Sequence, residues 1–409
     1  MNFDMGKCLD ALSLALDFSG MDTFRTKPNH ARRVAYICGC LADELALPEE
    51  DRQDLYALAL LHDNGATMAG LDLKNMEHTI GLCEHGEKNI ALLPLQRRRE
   101  NTILYQYENF DGSGPFKQAG EAIPELAAII RVANALDTEF NLWRQDQFSR
   151  QEAEAFVRGN KGILFAPRAA DAFLAAARRE RFWCDMLFGN SLDTLHRRAP
   201  KIFHELSWMD IVPISKIFMK IVDSKSRYTC SHSSGVAACM SEMSDFYGFN
   251  HDKKIQLRIA AHLHDLGKLF ISNDILEKPG KLDSAEMSEI RKHPYITKLV
   301  LDKIPGFEEV SAWAGNHHER LNGTGYPENL TERDLDWESR LLSIIDAYQA
   351  MTEARPYRRG MNHKDAIAIL RDMASRGFMD PRIVHDVDMV IGDFASKSGS
   401  LTVCDPLPE

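Results

Sequence analysis

The sequence predicts an all-α protein made of two tandem copies of one helical domain. Three observations carry this. Apolar residues recur at helical spacing in several separate stretches. Alternating runs of β-branched residues are scarce. One ordered set of landmarks occurs once in each half of the 409 residues.

In chain order, MNFDMGKCLDALSLALDFSG reads as an amphipathic helix. It lacks the basic start of a secretory signal and carries acidic residues through its apolar stretch. HARRVAYICGCLADEL (30–45) and DLYALALLHD (54–63) read as helices, and extra helices over 138–190 finish the first copy. The join lies around 190–210, where LSWMD leads into the second copy, so the domains are 1–205 and 206–409. KIQLRIAAHLHDLGKL (254–269) and SRLLSIIDAYQAMTE (339–353) are helices of that second copy.

The repeat rests on residues. His30 precedes His62-Asp63, and His232 precedes His264-Asp265, with the same separation of 32 in each case (62 − 30 and 264 − 232). EHGEKNIALL resembles KHPYITKLVL, which sets His85 beside His293. QYENFDGSGPF (106–116) resembles HHERLNGTGYP (317–327), which sets Glu108 beside Glu319. IIRVANALD (129–137) resembles LLSIIDAYQ (341–349), which sets Asn134 beside Asp346. The copies diverge where ligands would sit. Gln106-Tyr107 stands against His317-His318, Ala66 against Lys268, and Asn134 against Asp346. The second copy therefore reads as the chemical one.

Composition narrows the function classes. Lys and Arg number 49 and Asp and Glu 60, a net charge of −11, which argues against broad DNA or RNA binding. No apolar run reaches the length of a membrane span, so no membrane partner is expected. Eight scattered cysteines without a CxxC fit a reduced, cytoplasmic protein. Of 15 histidines, seven fall between 232 and 318.

That cluster points to metal chemistry. Imidazole and carboxylate are natural ligands of first-row transition metals. His232, His264, Asp265, His293, His317, His318 and Asp346 supply seven such groups, enough for two ions with open positions. Asp346 lies within the apolar LLSIIDAYQAM, where an unpaired carboxylate would be costly to bury and a cation would offset the cost. His262, two residues before His264, falls on another helical face and is left out. Trp143, Trp183, Trp208 and Trp313 are too widely spaced for a stacking box and read as core or interface. RRR (97–99) and RRER (178–181) read as solvated faces.

His232, HDLGK (264–268), HP (293–294), HHE (317–319), GTGYP (323–327) and Asp346 together resemble the HD-GYP family of the HD phosphohydrolase superfamily. The match spans roughly 211–395, and the first copy resembles a degenerate HD-type domain. The resemblance implies two tandem HD-type helical domains and a metal-dependent phosphodiesterase acting on a cyclic dinucleotide, chiefly cyclic di-GMP. It implies two divalent transition-metal ions, iron or manganese. One would be held by His232, His264, Asp265 and Asp346, the other by Asp265, His293, His317 and His318. Lys268 would touch the phosphate or the bridging hydroxide, making Lys268 and Asp265 the catalytic pair. Tyr326, Gly323 and Gly325 would line the substrate, and Arg355 and Arg358 would contact phosphate or guanine. Tyr228 stands where some members carry a third-metal acid, so two ions are expected.

Rival readings are a 3′,3′-cyclic GMP-AMP phosphodiesterase, a non-catalytic cyclic-dinucleotide receptor, and an HD-type hydrolase of mononucleotides or (p)ppGpp. The first copy retains His30, His62, Asp63 and His85, and could serve as a scaffold or homodimer interface, a regulatory pocket or a separate activity. Glu108 and DGSG (111–114) read as kept for structure.

Overall fold

A computed structural model describes residues 2–24, 27–65, 75–97, 99–142, 147–192, 194–200, 202–225, 232–278, 280–353 and 359–398. The chain divides into two compact units, Asn2–His204 and Glu205–Glu409. Both are helical. The described strands are two three-residue segments, β1 (Asn2–Asp4) and β2 (Phe203–Glu205), which pair with each other. Among the described residues, no helix is long and apolar enough to cross a membrane.

The first unit holds α1 (Met5–Phe24), α2 (His30–Glu44), α3 (Glu49–Leu60), α4 (Met76–Ile90), α5 (Glu125–Glu139), α6 (Gln147–Gly159), α7 (Pro167–Ala176) and α8 (Glu180–Leu192). The opening stretch expected to be helix from its start is strand over its first residues. Asp4 is the reason: its Oδ1 accepts from Lys7 N at 3.0 Å, so the helix begins after it. α2 packs against α3, α5 and α7, burying Val34, Ile37 and Leu41. Trp183 is buried against Phe182 in α8.

The second unit holds α9 (Trp208–Lys225), α10 (His232–Phe246), α11 (His251–Leu263), α12 (Asn273–Leu276), α13 (Ser284–Ile290), α14 (His293–Leu301), α15 (Glu308–Gly315), α16 (Trp337–Thr352), α17 (His363–Ser375) and α18 (Pro381–Ser398). α10 packs against α11 as α2 packs against α3. The helix of α11 starts where Asn250 accepts from Lys253 N at 2.9 Å. Trp313 is fully buried, and its Nε1 donates to Asp336 Oδ2 at 2.8 Å. The other oxygen of Asp336 caps α16 through Ser339 N at 2.8 Å. One carboxylate thus fixes α15 against the start of α16. Trp208 is half-buried, with its ring 5.5 Å from that of Phe307, and Trp143 lies outside the described residues.

The expected helices over 54–63 and 254–269 both stop early. α3 ends at Leu60 and α11 at Leu263, and a turn carries His62-Asp63 and His264-Asp265. Close packing of two glycines accounts for the break. A Cβ on Gly267 would lie 2.0 Å from the His293 carbonyl oxygen, and one on Gly65 would lie 2.0 Å from that of Leu82. In each copy the chain passes a neighbouring helix at a distance only glycine permits. We expect Gly267→Ala to push α14 away and lower stability by about 1–3 kcal/mol, read as a shifted urea midpoint with unchanged slope.

Candidate metal centre

Helix ends position the candidate ligands. His232 is the first residue of α10, His264 caps the end of α11, His293 opens α14, and His317-His318 follow α15. Asp346 lies in the middle of α16 and, with His232, His264, Asp265, His293 and His317, is buried. His318 keeps 30% of its side chain exposed, so the cluster opens toward solvent there.

Backbone hydrogen bonds decide which ring nitrogens face inward. His264 Nδ1 lies 2.8 Å from Ala261 O, His293 Nδ1 2.7 Å from Ile290 O, and His317 Nδ1 2.6 Å from Ala314 O. A carbonyl only accepts, so each Nδ1 carries the hydrogen. Nε2 is therefore the nitrogen that each ring turns to the interior, where it can hold a proton or ligate a cation. His293 Nε2 and His317 Nε2 stand 3.2 Å apart, and His264 Nε2 is buried with no hydrogen-bond partner.

Asp265 lies between two sets of rings. Its Oδ2 is 3.3 Å from His264 Nε2 and 4.0 Å from His232 Nε2. Its Oδ1 is 3.3 Å from His293 Nε2 and 3.9 Å from His317 Nε2. Asp346 Oδ1 is 2.9 Å from His232 Nε2 and 3.6 Å from His264 Nε2, while its Oδ2 is 4.0 Å from His318 Nδ1. Three donor sets emerge: His232, His264 and Asp346; His293, His317 and His318; and His264, Asp265 and His317. All seven residues expected from the sequence come together here.

The electrostatics fit a cation. Burial opposes ionisation of Asp265, yet the Lys268 ammonium and the rings of His264 and His293 hold its carboxyl well below the usual range. Burial likewise opposes ionisation of Asp346, and His232 and His264 overcome it. Partial burial and the neighbouring His293 push the His318 ring below its usual range. Buried carboxylates beside inward lone pairs need positive charge among them, from protons or from metal ions. The donor set of imidazole and carboxylate suits first-row transition metals.

Neighbouring side chains orient this set. Lys268 Nζ lies 2.5 Å from Asp265 Oδ2. The Tyr326 ring lies 4.9 Å from that of His318, tilted by 37°. Gly323 has φ of +75°, and a Cβ on Gly325 would lie 2.4 Å from Arg320 N. The missing Cβ of Gly325 therefore lets the turn close on its own backbone. Glu319 holds that turn, accepting from Glu328 N at 2.6 Å and Leu330 N at 2.9 Å. Glu108 does the same in the first unit, accepting from Phe116 N and Gln118 N. Arg355, Arg358 and Tyr228 lie outside the described residues. His262 hydrogen-bonds Ser215 at 2.9 Å and belongs to none of the donor sets.

Three neighbours escaped the sequence reading. Thr297 Oγ1 accepts from Gly267 N at 2.9 Å and donates to His264 O at 3.0 Å. Glu353 Oε2 is 3.5 Å from His232 Nδ1, where it orients that ring. Arg291 lies over the Tyr326 ring, 5.4 Å from its centroid. Spacing was the available signal for two of them: Thr297 is one turn past His293, and Glu353 two turns past Asp346.

Comparison with known proteins gives the family. The HD domain family matches residues 23–162 and 216–383, once in each unit. The 3′3′-cGAMP-specific phosphodiesterase 1 of Vibrio cholerae is 29% identical over 399 residues, 93% of this chain and 90% of the relative. A cyclic di-GMP phosphodiesterase of Pseudomonas aeruginosa is 32% identical over 306 residues, 73% of this chain and 67% of the relative. Among solved structures, a cyclic GMP-AMP specific phosphodiesterase of V. cholerae, V-cGAP3, superposes with a TM-score of 0.68. It is 25% identical and covers 96% of this chain and 98% of that one.

The Thr297 hydroxyl ties the His264 turn to α14 by two buried hydrogen bonds. Thr297→Val leaves both partners unsatisfied and should cost about 1–3 kcal/mol in urea unfolding.

Proposed function

We propose that this chain, which belongs to the HD domain family, is a metal-dependent phosphodiesterase that opens a 3′,3′-linked cyclic dinucleotide. The observation that carries this is the Asp265 carboxylate, whose two oxygens each face a different set of histidines. That arrangement supports two divalent transition-metal ions, with Asp265 beside both; iron or manganese is what the family resemblance implies. His232, His264 and Asp346 would complete the first set, and His293, His317 and His318 the second. Bound ions of this kind neutralise a phosphodiester and lower the pKa of a coordinated water.

The protein's own groups do the rest. The carbonyl bonds to Nδ1 hold His264, His293 and His317 in one tautomer, so no ring has to turn before a ligand binds. Lys268 pairs with Asp265 and would offset negative charge that grows on the phosphate oxygens. The Tyr326 ring, stacked on His318 at the open side, offers a face to a base. Gly323 and Gly325 shape the turn that presents Tyr326. Arg355 and Arg358 are proposed as phosphate or guanine contacts on the sequence alone. Hydrolysis would give the linear dinucleotide.

Cyclic di-GMP is the first substrate to test, and the Pseudomonas relative acts on it by name. A second reading has its own support. The relative aligned over 93% of this chain is specific by name for 3′3′-cGAMP. The two rings differ in one purine, so the choice lies in a base edge.

The metal-loaded chain should convert at least one of these rings, compared side by side by chromatography. A chelator should stop the reaction, and manganese or iron(II) should restore it. Asp265→Ala should abolish turnover. Lys268→Met should lower kcat on the order of 10²-fold with little change in metal content. No turnover of either ring by fully loaded protein would overturn the reading.

A further inference from the structure

Arg291 is a cation at the open side of the cluster, and the hydrolysis above gives it no task. It caps the end of α13, and two residues later His293 opens α14. The turn that presents a donor histidine therefore also places this side chain, which is exposed. The Arg291 guanidinium lies 5.4 Å from the centre of the Tyr326 ring, and that ring lies 4.9 Å from the ring of His318. Backbone ties the Tyr326 turn to the same histidine, with Tyr326 N donating to His318 O at 3.2 Å.

The guanidinium is uncommitted. Among the described residues, no carboxylate lies within ion-pair distance of it and no acceptor takes its N–H groups. Contact with Tyr326 draws on the ring's π electrons and spends none of those donors. Lys268, by contrast, is paired with Asp265, and Lys292 with Glu289 at 2.6 Å. The first unit lacks the Arg291–Tyr326 pair. Cys83 stands two residues before His85, as Arg291 stands two before His293, and Pro115 stands seven after Glu108, as Tyr326 stands seven after Glu319. Cys83 is buried. Glu108 and Glu319 hold their turns alike, so such a turn closes without either member of the pair. A contact outside the shared frame, present only beside the full donor set, points to the ligand.

We propose that Arg291 binds the second phosphate of the cyclic dinucleotide, the one not being cleaved; this rests on the reading of the cluster as a cyclic-dinucleotide site. A 3′,3′-linked ring carries two phosphodiesters, each negatively charged. One has to face the donor sets and Lys268 while it is opened. The other sits across the ring, a ribose away, and needs its own cation toward the rim. The planar fork of a guanidinium takes two phosphate oxygens at once, and its charge is fixed at any working pH. Tyr326 restricts where the Arg291 side chain can swing, which lowers the cost of ordering it on binding. The second phosphate keeps its charge throughout the reaction. Its contact with Arg291 is therefore equally strong in the ground state and the transition state, and acts on KM rather than kcat.

Steady-state kinetics of the metal-loaded full chain test this, with whichever ring the protein turns over. Arg291→Ala should raise KM about 10- to 100-fold with kcat nearly unchanged. Arg291→Lys should recover most of the loss, since an ammonium keeps the charge. The rise of KM with added salt should be shallower in Arg291→Ala, by about one ion pair. Circular dichroism checks that both variants stay helical, as expected for an exposed side chain. Unchanged KM would overturn the proposal. So would a loss that Lys does not recover and that leaves the salt dependence as it was, which is the signature of a contact to a guanine edge. Equilibrium dialysis of cyclic di-GMP and of 3′,3′-cyclic GMP-AMP against the chelator-treated chain separates this from the reading it rests on. Binding that weakens on Arg291→Ala, without any turnover, would overturn the phosphodiesterase and keep the proposal. Turnover with an unchanged KM would do the reverse, and neither binding nor turnover would overturn both.

Discussion

Imidazole rings buried at helix ends donate Nδ1–H to a carbonyl of the preceding turn and so turn their other nitrogen inward. His264, His293 and His317 all do this. Their lone pairs, together with Asp265 and Asp346, concentrate electron density in a space with little water. Such an arrangement is unfavourable by itself, and positive charge makes it favourable. The surrounding structure keeps these groups together against their repulsion. Thr297 ties the His264 turn to α14, Glu353 faces the outer nitrogen of His232, and Asp336 locks α15 to α16.

The two units share the supports more than they share the ligands. Gly65 and Gly267 make the same close approach to a helix carbonyl. Glu108 and Glu319 hold equivalent turns, and Gly114 and Gly325 pack against them. The ligand positions differ: Gln106, Tyr107 and Asn134 stand against His317, His318 and Asp346. The supports let the helices meet closely in both units. In the first unit Tyr107 and Gln106 fill what would be ligand places and satisfy neighbouring groups by hydrogen bonds.

An acidic chain with net charge −11 can still act on an anionic substrate. Its carboxylates would recruit cations that reverse the local sign, and Lys268 lies beside Asp265. The open side, with His318 partly exposed beside Tyr326 and Arg291, joins that charge to an aromatic face. Phosphate and base would thus meet different chemistry within one site.

The sequence by itself determined the helical class, the repeat and the seven residues that gather in the second unit. Helical spacing and landmark order are local patterns, and such patterns survive in one dimension. It misjudged the helices through His62 and His264, since the breaks come from Gly65 and Gly267 meeting backbone on other helices. Only the tertiary structure decided that Asp265 faces two sets of rings at once. It also brought Asp137 behind His30 and against Arg33 across more than 100 positions of chain. Those facts depend on distances between groups far apart in sequence, and packing fixes such distances where no local pattern records them.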